Sequence, residues 1–195
     1  MLKVGLTGGI GSGKTLVCSV LEKLGAAVYY ADTEARRVMN GDPKLVTQIS
    51  RLFGDKAYVG GTLNREFLAD RVFKDHGLLA SLNELVHPAV REDFSRWAGK
   101  QNHALYVVEE AAILFESGSD RHMDLTVVVF AEEELRVKRV MQRDGIAREQ
   151  VLDRMKNQMS EEEKMKKADY VINNDGKEML LPEIIKIHKT ILKRG

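Results

Sequence analysis

The segment GLTGGIGSGKTLV at residues 5–17 constrains this chain more than any other. Residues 8–15 satisfy the pattern G-x-x-x-x-G-K-[ST] in full, with a strand-type run (KVGLT) before them and a helical pattern after them. A glycine inside a helix or strand destabilises that element by roughly 0.5–1 kcal/mol relative to alanine. A tight strand–helix turn would need only one or two glycines. The five glycines of this segment therefore predict a loop whose bare backbone surrounds a ligand.

The ligand that such a loop favours is a phosphate chain. Backbone N–H groups in the loop converge on phosphate oxygens, and the dipole of the following helix adds to the attraction. We expect Lys14 to reach the β- and γ-phosphates of a nucleotide, and the Thr15 hydroxyl to bind Mg²⁺. No guanine-reading segment of the NKxD type occurs in the chain, which disfavours a GTPase. A kinase that uses ATP is the better hypothesis.

Composition excludes several other classes of protein. The 195 residues, 44% of them hydrophobic, suffice for one α/β domain with a modest insertion. The formal net charge of +1 and the lack of an apolar stretch near ~18 residues argue against nucleic-acid and membrane partners. We therefore expect a cytoplasmic protein that acts on small molecules. The five histidines and one cysteine show no metal-ligand spacing, so the only metal expected is Mg²⁺ carried by the nucleotide.

Short apolar runs separated by helical patterns predict the fold class. Such runs are typical of strands buried on both faces, and helical spacers make neighbouring strands parallel. The chain is expected to form an α/β, doubly wound, five-stranded parallel sheet of the P-loop NTPase type, with a helical substrate-binding insertion and a helical lid. The five predicted strands are residues 3–7, 27–31, 104–108, 125–130 and 170–173.

The same patterns predict three regions. A nucleotide-binding core is expected over about residues 1–38, 101–131 and 168–195, with residues 178–193 as a final amphipathic helix. The insertion, about 39–100, contains no comparable strand; a turn is expected at Gly60-Gly61, and Pro88 is expected to begin a helix. The lid, about 132–167, is charged and helical, with a break at Gly145 that indicates two helices joined by a movable turn.

Several side chains are candidates for the chemistry, each with a structural alternative. Asp32 follows the second strand, where ligands bind in open α/β sheets, and could accept a hydroxyl proton or merely cap a helix. Glu109 and Glu110 end the third strand, and the register of that strand decides which one faces the site. His87 could contact an anionic substrate, but capping of the Pro88 helix is favoured.

Two further features of the helices bear on function. Arg136, Arg139 and Arg143 share one helical face, which is either a solvated surface or, beside a phosphate loop, part of a lid that closes over phosphates and excludes water. Cys18 lies in the helix after the glycine loop, where a buried, inert thiol is favoured over a nucleophile.

Nearly the whole chain resembles the dephospho-coenzyme A kinase family. The resemblance is carried by GLTGGIGSGK, ADTEARRVM, FGDKAYVGGTLNREFLADRVF, LNELVHPAV, ILFESG, RVMQRDGIAREQV, RMKNQMS and ADYVINNDG. It implies transfer of the ATP γ-phosphate to the ribose 3′-hydroxyl of dephospho-coenzyme A, the last step of coenzyme A biosynthesis. Another P-loop kinase, acting on a nucleoside or a nucleoside monophosphate, is the alternative; a nucleotide-dependent switch and a nucleic-acid-binding helix are less favoured.

The resemblance also implies roles for individual residues. The catalytic group would comprise Asp32, Lys14, Arg139 and Arg143. The nucleotide would be bound by Gly9, Gly11, Ser12, Gly13, Lys14, Thr15, Leu16, Arg143 and Asn174, with Thr15 on Mg²⁺. The acceptor would be bound by Asp32, Arg36, Arg65, His87 and Glu110.

Three positions depart from the pattern common in that family. Tyr30 stands where many members have an aspartate, so that Asp32 is the only carboxylate of its segment. Leu16 lacks a hydroxyl that could touch the α-phosphate. Glu110 stands for an aspartate, and the proline that usually follows is absent.

Overall fold

The computed structural model describes Met1–Arg194, except for the side chain of His76. The strands are β1 (Lys3–Thr7), β2 (Ala27–Tyr30), β3 (Tyr58–Val59), β4 (Thr62–Leu63), β5 (Val107–Glu110), β6 (Leu125–Phe130) and β7 (Tyr170–Asn173). The helices are α1 (Lys14–Lys23), α2 (Ala31–Gly41), α3 (Pro43–Phe53), α4 (Arg65–Lys74), α5 (His76–Ala98), α6 (Glu133–Asp144), α7 (Arg148–Met155), α8 (Glu161–Lys167) and α9 (Leu180–Leu192). None of the helices in the described part of the chain is long and apolar enough to span a membrane.

The central feature is a five-stranded, all-parallel sheet in the order β2-β5-β1-β6-β7. β1 lies in the middle, so the chain winds outward from it in both directions, which confirms the predicted fold class. In a sheet of this kind the ligand site lies beyond the carboxyl ends of the strands, where the strand order reverses. The loop that follows β1 is therefore in the position expected for a binding loop.

The five strands of the parallel sheet agree with the prediction except at three ends, which belong to β2 and β5. β2 stops at Tyr30 because Ala31 begins α2. The third parallel strand is β5, which starts at Val107 rather than at residue 104, since Leu105 lies in a connection where its N–H donates to Gly25 O at 2.9 Å. β5 also ends two residues later than predicted, at Glu110, so both glutamates lie in the sheet.

The contacts within the chain divide it into two compact units. The first is Met1–Tyr30 together with the residues from Lys100 onward, and the second is Ala31–Gly99. The second unit thus begins at Ala31, not near residue 39. In the first unit, α1 and α9 pack over one face of the sheet, and Cys18 is completely buried there. Burial raises the pKa of the Cys18 thiol strongly, as expected for an inert side chain.

The second unit is helical, with one small hairpin. β3 and β4 pair antiparallel around Gly60 and Gly61, which confirms the predicted turn and adds two short strands that the sequence pattern did not reveal. The prediction that Pro88 begins a helix is wrong. α5 begins at His76, after Asp75 Oδ1 accepts a hydrogen bond from Leu78 N at 3.0 Å, and it continues through Pro88 to Ala98.

Three helices, rather than the predicted two, occupy the region expected to form the lid. Gly145 ends α6 with a φ of 66°, which confirms the predicted break. A second break separates α7 from α8, where Ser160 caps the new helix and exchanges hydrogen bonds with Glu163. The local pattern Ser-x-x-Glu was the available sign of this second start.

Candidate active site

The glycine-rich loop between β1 and α1 depends on glycine for both conformation and space. Gly8, Gly11 and Gly13 have positive φ values of 149°, 81° and 97°. A Cβ on Gly8 would collide with Val129 O, and one on Gly13 would collide with the side-chain amide of Asn174. Neighbouring atoms thus approach the loop backbone from several sides, so side chains there would displace the loop.

Lys14, the first residue of α1, folds back over this loop. Its ammonium donates to Gly8 O at 2.8 Å and to Gly9 O at 3.4 Å, and it lies 3.9 Å from Glu110 Oε1. Glu110 therefore lies on the loop side of β5, whereas Glu109, one residue earlier, projects from the opposite face of the sheet. The sequence left open whether Glu109 or Glu110 faces the loop, and the structure shows that it is Glu110.

Oxygen donors near Lys14 match the chemistry of Mg²⁺, which prefers carboxylate, hydroxyl and phosphate oxygens. Thr15 lies exposed in the first turn of α1, and Glu110 approaches the same lysine. Ser12 is completely buried, and its hydroxyl has no hydrogen-bond partner among the described residues. A loop with an orphaned hydroxyl and a glycine backbone fits a phosphate–magnesium ligand.

Three side chains from later in the chain bind the loop backbone directly. Gln158 Oε1 accepts a hydrogen bond from Ile10 N at 3.0 Å, and Asn174 Nδ2 donates to Ser12 O at 2.7 Å. Arg139 Nη1 lies 3.5 Å from Gly11 O. Of the predicted lid arginines, Arg139 thus reaches the phosphate loop.

The other two arginines of that helical face make different contacts. Arg143 is exposed and forms a double hydrogen bond with Asp144, at 2.7 and 3.1 Å, which raises the pKa of the guanidinium. Arg136 is buried, and its Nε donates to Ala131 O at 3.0 Å. The predicted face is therefore not uniform: α6 packs Arg136 against the loop, whereas Arg143 is exposed and paired with Asp144.

Two positions that depart from the family pattern, Leu16 and Tyr30, lie at the start of α1 and at the end of β2. Leu16 is 55% exposed in the first turn of α1. Tyr30, at the end of β2, pairs in register with Glu110 of β5. Burial, with the nearby Cys18 and Glu22, raises the pKa of Tyr30 to about 12, so this side chain stays protonated at neutral pH.

The second unit contains a cavity of about 760 Å³ with four charged side chains in its wall, two acidic and two basic. Asp32 and Arg36 lie four residues apart in α2 and so share one helix face, and Arg65 is the first residue of α4. None of these three side chains forms an ion pair with another described residue. The fourth charged side chain is Glu66, and the apolar rest of the wall is Ala35, Met39, Leu63, Leu68, Ala69, Val72 and Leu82. The cavity thus offers a charged part and an apolar part.

Two expectations for this unit need correction. Asp32 is not the residue that precedes its helix, since α2 already begins at Ala31; its carboxylate is exposed and faces the cavity. His87 lies inside α5, so it does not cap a helix at Pro88, and it is not among the described residues that line the cavity. Burial and the nearby Arg91 lower the pKa of His87, so the imidazole is neutral at pH 7.

Comparison with known proteins places this geometry in one family. The model of the dephospho-CoA kinase family matches residues 2–179. The chain belongs to the dephospho-CoA kinase family. Curated relatives include the dephospho-CoA kinase of Bacteroides fragilis, 39% identical over 95% of this chain and 91% of the relative, and that of Salinibacter ruber, 46% identical over 90% of each. A crystal structure from Thermus thermophilus, 37% identical, superposes with a TM-score of 0.83 over 99% of this chain and 97% of its own.

The sequence did not show which charged side chains of α6 and α8 are buried. Arg136 was grouped with solvent-facing or phosphate-facing arginines, and Glu161 was not singled out, although both border Gly9. Lys164, completely buried, was also missed. All three lie in strongly charged helices, where the sequence contains no signal that separates a buried charge from an exposed one.

Proposed function

We propose that the protein is a dephospho-CoA kinase that transfers the γ-phosphoryl group of ATP to the ribose 3′-hydroxyl of dephospho-CoA, giving CoA and ADP. The observation that carries the proposal is the glycine loop whose Lys14 bridges the loop carbonyls and Glu110, in a chain matched by the family model over residues 2–179. The region around α6–α8 would act as the lid, the second unit would bind the acceptor, and the enzyme would work in the cytoplasm.

On the donor side, the loop N–H groups and the N-terminus of α1 would bind the phosphates of ATP. Gly9, Gly11, Ser12 and Gly13 supply that backbone, and the ammonium of Lys14 would exchange its carbonyl partners for phosphate oxygens. Mg²⁺ would be held by the Thr15 hydroxyl, with the Glu110 carboxylate beside it, and would neutralise charge on the phosphates. Leu16 and Asn174 would border the nucleotide.

On the acceptor side, Asp32 would orient the 3′-hydroxyl and take its proton. The hydroxyl oxygen forms a bond to the γ-phosphorus, the bond from that phosphorus to the β–γ bridging oxygen breaks, and ADP leaves with the bond electrons. Arg36 and Arg65, which have no ion-pair partners among the described residues, would bind the anionic groups of dephospho-CoA. His87 lies outside the described cavity wall and is neutral, so it would not contribute a charge to acceptor binding.

Arg139 and Arg143 would stabilise the charge of the phosphoryl group during transfer. Arg139 already lies beside the loop, at 3.5 Å from Gly11 O, whereas Arg143 would have to exchange Asp144 for phosphate. Such an exchange suits a lid that closes only when nucleotide is present, and closure would exclude the water that competes with the acceptor.

The test is an acceptor panel with ADP release as readout and product mass to locate the phosphate. Dephospho-CoA should be phosphorylated at the 3′ position, while adenosine and AMP should give little signal. No reaction with dephospho-CoA, or a better reaction with a nucleoside or nucleoside monophosphate, would overturn the proposal in favour of another small-molecule kinase.

A substitution tests the proposed role of Asp32. Asp32→Asn should leave ATP binding intact and lower turnover by about 10²–10⁴-fold, the usual contribution of a general base. Asp70→Asn, at an exposed carboxylate of α4, is the matched control and should keep normal turnover. Near-normal turnover of the Asp32→Asn enzyme would rule out the assignment.

A further inference from the structure

A buried pair of opposite charges lies against the glycine loop. Arg136 Nη1 and Glu161 Oε1 are 4.0 Å apart, and their side chains are only 8% and 10% exposed. Both atoms lie where the Cβ of any larger residue at position 9 would be, so the pair presses on the backbone of Gly9. The carbonyl of the same glycine accepts a hydrogen bond from Lys14 at 3.4 Å.

Other contacts hold the pair in place from both sides. The Arg136 guanidinium is anchored by Nε, which donates to Ala131 O at 3.0 Å, and the backbone of the same residue packs on Gly11. Glu161 lies in the first turn of α8, which follows the segment whose Gln158 binds Ile10 N. Arg136 is therefore fixed by its own hydrogen bond, and Glu161 is placed beside the loop by the position of α8.

The pairing is incomplete, which leaves both charges able to act on the loop. A separation of 4.0 Å is too long for a hydrogen bond, and Glu161 Oε2 is buried without a hydrogen-bond partner among the described residues. A buried carboxylate oxygen without a hydrogen-bond donor lowers the stability of the folded protein. Because both charges contact a loop whose backbone fits phosphate, each should change the affinity of that loop for an anion.

We propose that Arg136 and Glu161 are positioning residues that set the affinity of the glycine loop for nucleotide with opposite signs. The proposal rests on the proposed function in one respect, that the loop binds the phosphates of ATP. Arg136 attracts the phosphate chain, and Glu161 offsets that attraction so that ADP can leave after transfer. The pair also keeps Gly9 in the position that the Lys14 contact requires.

Changes of opposite sign in the Kd for MgADP distinguish this proposal from a purely structural role of the two residues. Arg136→Gln removes the positive charge and leaves a carboxylate beside the loop, so binding of MgADP should weaken, with the Kd rising roughly fivefold or more. Glu161→Gln leaves the guanidinium unopposed, so the Kd for MgADP should fall by a similar factor, and kcat should fall with it if product release limits turnover.

The experiment is a calorimetric titration of the full-length protein with MgADP, together with thermal unfolding. Arg136→Lys keeps the charge and should stay within about twofold of wild type, which covers the case in which Arg136→Gln fails to fold. The double variant Arg136→Gln/Glu161→Gln should return toward the wild-type Kd. As a matched control, Lys156→Gln and Asp153→Asn disrupt an exposed ion pair on α7 and should not change the Kd.

The outcomes distinguish this inference from the proposed function. If wild type does not bind MgADP, the proposed function fails. If wild type binds, and both single variants weaken binding or neither changes it, the inference is overturned while the proposed function stands. Shifts of opposite sign, absent in the control pair, support it.

Discussion

Replacing Lys164 with methionine should destabilise the first unit measurably. This side chain, in α8, is completely buried; its ammonium donates to Ala112 O at 3.1 Å and lies 3.4 Å from Glu116 Oε1. Ala112 O lies 3.5 Å from the hydroxyl of Thr7, the last residue before the glycine loop, and Glu116 Oε1 accepts a hydrogen bond from Met159 N at 2.7 Å. The lysine therefore joins α8 to the segment that follows β5.

The size of the stability loss depends on how well the remaining partner, Glu116, is solvated and hydrogen-bonded after the substitution. Removing one partner of a buried ion pair costs about 3–5 kcal/mol. Glu116 is 22% exposed and keeps its bond to Met159 N, so water recovers part of that loss and we expect about 2–3 kcal/mol. In a domain of this size each kcal/mol shifts Tm by about 2–4 °C, so Tm should fall by roughly 4–12 °C.

Thermal unfolding followed by circular dichroism measures this effect. Lys166→Met is the matched control, because it makes the same replacement at an exposed position of α8. The double variant Glu116→Gln/Lys164→Met should recover part of the loss, since no carboxylate is then left without its partner. A Tm for Lys164→Met within about 2 °C of the Lys166→Met value would refute the reasoning.

Two other predictions concern the loop and a titratable group. Gly13→Ala should weaken MgATP binding and lower the free energy of unfolding by about 1–2 kcal/mol, because φ is 97° and the new Cβ meets the Asn174 amide. Adding Asn174→Ala should restore the space but not remove the backbone strain. Full recovery of MgATP binding in the double variant, measured by calorimetry, would contradict the prediction. The lowered pKa of His87 means that the unfolded chain binds a proton more readily, so stability should be full above about pH 6.5 and decrease as pH falls below it. His87→Gln should make Tm less dependent on pH in that range, and an unchanged slope would contradict the prediction.

Local sequence patterns were sufficient for the elements that depend on local chemistry. The glycine loop was recognisable because its spacing, its entering strand and its leaving helix lie within one short segment. β1, β6 and β7 were predicted to the residue, since buried parallel strands are continuous apolar runs. The ends of β2 and β5 were predicted less accurately. β5 begins three residues later than predicted, because the Leu105 N–H donates to Gly25 O and not to a neighbouring strand.

Only tertiary structure decided where the charged side chains lie. The register of β5 set Glu110, and not Glu109, beside Lys14, because alternate residues face opposite sides of a sheet. The packing of α6 and α8 buried Arg136 and Glu161 against Gly9, although both belong to helices that are charged throughout. A sequence shows which residues carry charge, but burial and partners arise from contacts between segments far apart in the chain. The phosphate loop was therefore determined locally, whereas the charges around it were determined by the fold.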